Sequence, residues 1–188
     1  YGEIGVKGND KTKDYVILRE IDIKKGEKIN QKEIKNNLSR VFNLNYFSEV
    51  IPDITPSAVT KNTYDLLINV KEKSTDSVNF GGGWGQQSGM FLYSDLNINN
   101  LLGTGQLIAL KGQWGRNLTT YQFKYHNPWM FGNRRSLTYR AWNTRGNFGF
   151  NNMFSSGYRP ETRYGMDVAV GLPHSYELRS NHKVKVEE

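Results

Sequence analysis

The apolar positions of this chain change their period near residue 77. Before it they fall into short alternating runs and one helical stripe; after it they alternate with polar residues almost without a break. Ile4 and Val6, set between Glu3 and Gly5, read as a short strand that stops at the turn residues Gly8-Asn9-Asp10. Thr12 is placed to cap a helix running to about Ile21, with Tyr15, Val16 and Leu18 as core contacts and Gly26 as the breaker. Asn30-Gln31-Lys32-Glu33 has the form of a capping box, and Ile34, Leu38, Val41 and Phe42 follow at the spacing of a single helical face. Residues 50–54 and 64–72 predict two further strands, the second with Leu66, Ile68 and Val70 on one side. The order β-α-α-β-β predicts an α+β unit with its helices on one face of a sheet.

Beyond residue 77 the alternation can be followed strand by strand. Ile108, Leu110, Gly112 and Trp114 oppose Lys111 and Gln113; Tyr121, Phe123 and Tyr125 oppose Gln122, Lys124 and His126. Leu137, Tyr139 and Ala141 oppose Ser136, Thr138 and Arg140, and Tyr164, Met166, Val168, Val170 and Leu172 oppose Arg163, Gly165, Asp167 and Gly171. Tyr176, Leu178, Val184 and Val186 make a weaker last strand, and residues 78–85 and 90–98 bring the number to about seven. Turn signals lie at residues 86–89, 100–105, 116–117, 127–128 with 132–133, in a Gly/Asn/Ser-rich stretch over 143–161, and at Pro173.

The first of these strands, Val78-Asn79-Phe80-Gly81-Gly82-Gly83-Trp84-Gly85, is unusual in having Gly81, Gly83 and Gly85 on one face. Glycine packs nothing and costs backbone entropy, so this rib is expected to pair weakly. A flexible linker or a turn is the plain alternative, but the apolar residues at even positions run straight through the glycines.

Composition separates the same two parts. Residues 1–76 hold 13 Lys/Arg, 12 Asp/Glu and 6 aromatics, whereas residues 77–188 hold 12 Lys/Arg, 6 Asp/Glu and 18 aromatics, so the net charge of +7 sits almost wholly in the second part. Cysteine is absent, which removes disulfides and thiolate metal sites. The mean hydropathy of −0.67 and the lack of a long apolar run exclude a membrane-spanning helix. They do not exclude a transmembrane β-barrel, whose strands need only about 9–11 alternating residues. A soluble sandwich produces the same period. Aromatics near strand ends, opposed by Lys, Arg and Gln, favour the barrel, with lipid outside and a wet lumen lined by Lys111, Gln113, Gln122, Lys124, Arg140, Arg163 and Asp167. A soluble nucleic-acid-binding β-domain would place cations and aromatics on a shared face, and here they mostly oppose one another. His126, His174 and His182 fall in different strands or turns, so no catalytic, cofactor or metal site is expected. The first part shows only scattered carboxylates, and interaction through a sheet edge is its expected role. With neither an initiator Met nor a signal-like segment at Tyr1, the numbering is expected to start inside a longer protein.

Several of these stretches resemble the BamA-like outer-membrane assembly factors. Residues 72–85 are similar to the junction between the last POTRA domain and the first barrel strand, and Asn100-Leu101-Leu102-Gly103-Thr104-Gly105 to the turn after the second strand. Asn127-Pro128-Trp129 resembles the end of the family's fourth strand and Gly171-Leu172-Pro173 the end of its sixth. Residues 6–10 and 43–50 are similar to parts of a POTRA module, with Asn45 where Gly is common. The resemblance implies a periplasmic POTRA-like domain at 1–76, and at 77–188 all-β antiparallel transmembrane strands that form an incomplete barrel in a bacterial outer membrane. Family members close roughly sixteen strands, so the chain is expected to be a fragment, or a short member that closes as a homo-oligomer.

The resemblance further implies that unfolded outer-membrane proteins are clients and that periplasmic chaperones or assembly lipoproteins are partners, with no nucleic acid and no chemistry. The weak first strand would act as a lateral gate whose edge, residues 78–85, accepts a client strand by β-augmentation. Valine at Gly81 and Gly83 is expected to tighten that seam. A TamA-like or two-partner-secretion transporter is the neighbouring alternative.

Overall fold

The computed structural model describes residues 2–23, 26–28, 30–58, 63–85, 89–151, 156–173 and 179–188. Contacts divide the chain into two units, residues 1–75 with 100–105, and residues 76–99 with 106–188.

The first unit contains β1 (Ile4–Lys7), α1 (Asp14–Leu18), α2 (Gln31–Asn43), β2 (Phe47–Pro56) and β3 (Tyr64–Glu72), the order read from the sequence. Its sheet runs β1-β3-β2, with β1 parallel and β2 antiparallel to β3. Leu66, Ile68 and Val70 of β3 meet Ile17, Ile23, Ile34, Val41 and Phe47 in a single core. Helix α2 starts where its cap predicts, although the Asn30 side chain accepts from the Lys32 amide at 3.0 Å rather than from the third position. Of its apolar stripe, Ile34 and Val41 are buried while Phe42 is half exposed. Asn37 takes buried space instead: its amide oxygen accepts from the Asp22 amide at 2.9 Å and its nitrogen donates to the Glu33 carbonyl at 2.9 Å. Asn45, which follows the helix, sits at φ 63°, a left-handed position that Asn tolerates and Gly prefers.

Helix α1 differs from expectation. It covers only Asp14–Leu18, and Thr12 does not cap it. Thr12 is buried and accepts a hydrogen bond from the Asn100 side chain at 2.8 Å. The six-residue turn 100–105, which lies in sequence between two strands of the second unit, therefore packs within the first. The Lys13 amide donates to the Gly103 carbonyl at 2.9 Å, the Gly105 amide to the Asn100 side chain at 2.8 Å, and the Tyr46 hydroxyl to the Gly105 carbonyl at 3.2 Å. Gly103 is required by geometry: its φ is +75°, and a Cβ there would lie 1.9 Å from the Lys11 carbonyl oxygen. Beside this contact the Glu72 carboxylate accepts from the Lys11 amide at 2.8 Å and the Thr12 amide at 2.7 Å. Partial burial pushes the Glu72 carboxyl upward, but the bonds from the Thr12 hydroxyl and the two amides outweigh it and hold the group below its ordinary value.

The second unit is one antiparallel sheet of seven strands in chain order. These are β4 (Ser77–Gly85), β5 (Gly89–Ile98), β6 (Leu107–Gly115), β7 (Leu118–Met130), β8 (Arg135–Asn151), β9 (Ser156–Pro173) and β10 (Arg179–Glu187). Each strand pairs with its sequence neighbour, as hairpin connections dictate. Two expected turns are strand instead. Asn127-Pro128 lies inside β7, and the chain reverses at Phe131 and Gly132, both at positive φ. The Gly/Asn/Ser-rich stretch pairs through most of its length, from Arg145 with Thr162 to Asn151 with Ser156. There Asn143, Arg145 and Asn147 occupy the positions that carry apolar groups lower in the strand. The hydrophobic signal fades while the backbone ladder continues. Residues 86–88, and Tyr176 and Leu178 of the expected last strand with His174, lie outside the described residues.

Val168 lies on the apolar face and is 39% exposed, while its neighbour Ala169 stands opposite Lys183 on the polar face. Val168→Arg is therefore expected to block assembly into a membrane, at a cost of ~2–4 kcal/mol near the midplane, with Ala169→Arg tolerated better. Membrane integration of the two variants measures this, and the reverse ranking would put the register off by one. For the first unit, the lowered Glu72 value means that its contribution is complete above the ordinary carboxylate range and is lost as pH falls through the lowered value. Glu72→Gln is expected to weaken the unit by about 1–2 kcal/mol at neutral pH. It should also flatten the acid limb of its unfolding curve, and an unaltered acid limb would show that the carboxylate does not anchor Lys11 and Thr12.

Candidate strand-edge site

The register of the sheet assigns every described side chain to one of two faces. Val78, Phe80, Trp84, Met90, Leu92, Leu110, Trp114, Tyr121, Tyr164, Met166, Val184 and Val186 share one face, and each is between 44% and 78% exposed. On this face the Trp114 indole donates to the Tyr121 hydroxyl at 3.0 Å, so the indole N–H is satisfied within it. Lys111, Gln113, Gln122, Lys124, Arg140, Arg163 and Asp167 share the other face. Among the described residues of the unit only Ala109, Ser136, Asp167 and Gly171 are buried, so the large apolar side chains of the outer face stand open while one carboxylate is covered.

Asp167 organises the polar face. It is 3% exposed, and its carboxylate accepts from Arg140 Nε at 2.9 Å and from Lys183 Nζ at 3.3 Å. Register explains the need for it. Lys124 and Arg140 stand directly opposite each other on β7 and β8, a repulsive like-charge pair, and Arg140 turns to Asp167 on β9. Sequence reasoning found Arg140 and Asp167 but missed Lys183, which stands opposite Ala169 rather than Asp167 and reaches the carboxylate diagonally. Among the described residues no group of three or more His, Cys, Asp or Glu is placed to hold a metal ion.

Two sheet edges were candidates for accepting a strand, and they differ chemically. In the first unit the longer of the two edge strands is β2, with the four-residue β1 on the opposite side of β3. The Leu66 amide donates to the Glu3 carbonyl at 2.9 Å, so at this pair β3 points its groups away from β2, and Ile54 points its own outward. The two-residue period places Pro52 and Pro56 outward as well. Neither has an N–H to give, so this edge is poor in donors and ill suited to accept a strand. The helix side of β2 is more useful, since Ile34, Leu38, Phe42, Val50, Pro52 and Ile54 line an apolar groove against α2.

The other edge is β4, one of the two terminal strands of the second unit's sheet with β10. It contains no proline, and its nine residues pair with β5 without interruption from Ser77 with Asn97 to Gly85 with Gly89. Gly81 and Gly83 lie on the polar face as expected, but that face is not bare. A Cβ at Gly81 would come 2.5 Å from the Tyr93 ring, and one at Gly83 would come 2.9 Å from the Phe91 ring. These two aromatics were not singled out in the sequence. The hairpin register across residues 85 and 89 was the signal that would have placed them opposite the glycines.

Comparison with known proteins agrees with this geometry. Residues 1–73 match the POTRA family, described as surface antigen variable number repeat, and residues 100–188 match the Omp85 superfamily domain. The chain is 32% identical over 93% of its length to a Treponema pallidum protein provisionally assigned as an outer membrane protein assembly factor. It is 30% identical over 73% of its length to the outer membrane protein assembly factor BamA of Neisseria meningitidis. The matches span 20% and 17% of those two proteins, so the chain corresponds to about a fifth of their length. Among solved structures, BamA from Haemophilus ducreyi lacking POTRA domains 1–3 superposes with a TM-score of 0.79 at 22% identity, over 99% of this chain and 35% of that one. CdiB from Acinetobacter baumannii gives 0.53 at 15% identity, over 99% of this chain and 37% of that one. The order of elements, the two-faced sheet and these likenesses lead to one assignment: the chain belongs to the BamA-like outer-membrane assembly factor family, with a periplasmic POTRA domain followed by the first strands of an Omp85 barrel.

Proposed function

We propose that this chain is the gate-bearing part of a factor that inserts β-barrel proteins into the outer membrane, and that β4 offers its free edge to a client's terminal strand. The observation that carries the reading is the contrast between the two edges. The β2 edge is short of donors at Pro52 and Pro56, while β4 has every backbone group in place and ends its sheet. A client strand that pairs there satisfies its own backbone groups on entering lipid, where each one left unpaired costs several kcal/mol. The apolar face of β4, with Val78, Phe80 and Trp84 exposed, continues the surface that a client strand must also present to lipid. The polar face carries Lys111, Gln113, Gln122, Lys124, Arg140, Arg163 and Asp167 toward a wet lumen.

The POTRA domain holds unfolded clients, chaperones or assembly lipoproteins through the groove between α2 and β2 rather than through the β2 edge. The work is strand exchange and makes or breaks no covalent bond, so it needs neither catalytic residues nor a cofactor. Insertion is favoured over export because both relatives with sequence similarity described above are named as assembly factors.

The natural chain has no cysteine, which makes a capture experiment clean. In the intact membrane protein, Asn79→Cys is expected to form a disulfide with a stalled client that carries one cysteine in its terminal strand. Thr119→Cys, in the interior strand β7, is expected to capture none. Equal capture at both positions, or none at residue 79, would overturn the reading.

A further inference from the structure

Gly81 and Gly83 face Tyr93 and Phe91 of β5 across the register, each directly opposite. The distances of 2.5 and 2.9 Å from the would-be Cβ atoms to the rings mean that the aromatic side chains occupy the volume that side chains of β4 would fill. The neighbouring positions of this face have no ring directly across from them: Gly85 stands opposite Gly89, and Asn79 opposite Asp95. The contact is thus confined to the middle of the strand, and both rings come from β5.

A glycine-rich strand lacks the cross-strand side-chain pairs that normally hold a sheet together. An aromatic ring laid on the glycine backbone from the next strand restores part of that contact and shields the ladder from water. The restoration here is one-sided, because β4 grips β5 through borrowed rings and has nothing comparable to offer a strand on its other edge.

We propose that Phe91 and Tyr93 are positioning residues of the gate: their rings clamp the glycine face of β4 to β5, so that the sheet parts at the outer edge of β4 and not between β4 and β5. The clamp rests on the reading of β4 as the client-accepting edge and specifies which of its two sides stays closed. It also revises the expectation for valine at Gly81 or Gly83. A valine there would displace a ring, loosening the inner side of β4 while it fills the face.

Hydrogen exchange of the amides of residues 78–84, in the intact protein in lipid vesicles without client, tests the clamp. Phe91→Ser and Tyr93→Ser are each expected to speed exchange of the protected β4 amides by about fivefold, while amides shared by β7 and β8 keep their rates. Tyr93→Phe keeps the ring and is expected to exchange as the natural protein does. Unchanged exchange in both serine variants, or a Tyr93→Phe rate equal to that of Tyr93→Ser, would overturn the proposal. Because no client is present, this result stands apart from the capture experiment at residue 79: failed capture with accelerated exchange would sink the insertion reading and leave the clamp.

Discussion

Hydrocarbon offers no hydrogen bonds, so a strand that crosses it must find every backbone partner in its neighbours and must sort its side chains by face. This constraint shapes the whole second unit. Six consecutive pairings join seven strands in chain order, the arrangement that tight connections give most directly. The sorting is complete enough to invert the usual relation between polarity and burial. Trp84, Met90 and Val184 stand open while Asp167 is covered.

That inversion makes electrostatics a matter for the sheet's interior side. Charges from β7, β8, β9 and β10 converge there, and the register forces Lys124 against Arg140. Glu161 and Glu187 pair with Arg163 and Lys185, and one buried carboxylate draws together the cations nearest that crowded pair. Asp167 holds Arg140 and Lys183, so losing it would leave two half-exposed cations beside each other and beside Lys124 without the carboxylate that draws them together. The ion triad stands among strands that carry no apolar core of their own on this side, and it fixes the relative positions of three of them.

Much of this was legible in the residues. Period-two alternation marked the faces correctly because burial in lipid and exposure to a lumen act on alternate side chains, and Leu110, Phe123 and Val168 obey that rule without exception. Helix α2 was readable from Asn30 and its apolar stripe because local hydrogen bonds and spacing decide it. What escaped notice depends on partners distant in sequence. Thr12 looked like a cap, yet its hydroxyl answers Asn100, 88 residues away. Phe91 and Tyr93 are ordinary strand residues until the hairpin sets them over glycines. Residues 143–147 carry no apolar residue at the positions that are apolar lower in the strand, and pairing with β9 shows that they are strand. Pro52 falls inside a strand that the residues do predict, but only the register with Ile68 shows which way its nitrogen points.

The turn at residues 100–105 has a further implication for the order of events in synthesis. The POTRA core draws its last six residues from beyond two strands of the following sheet, and Gly103 fits against Lys11 with no room for even a methyl group. A nascent chain that has emerged only to Thr75 therefore lacks the partner of the Lys13 amide and the Asn100 side chain that donates to Thr12. The Lys13 amide gains its partner only once the first hairpin of the membrane sheet has been made, so the last contacts of the periplasmic domain come from the segment that follows it.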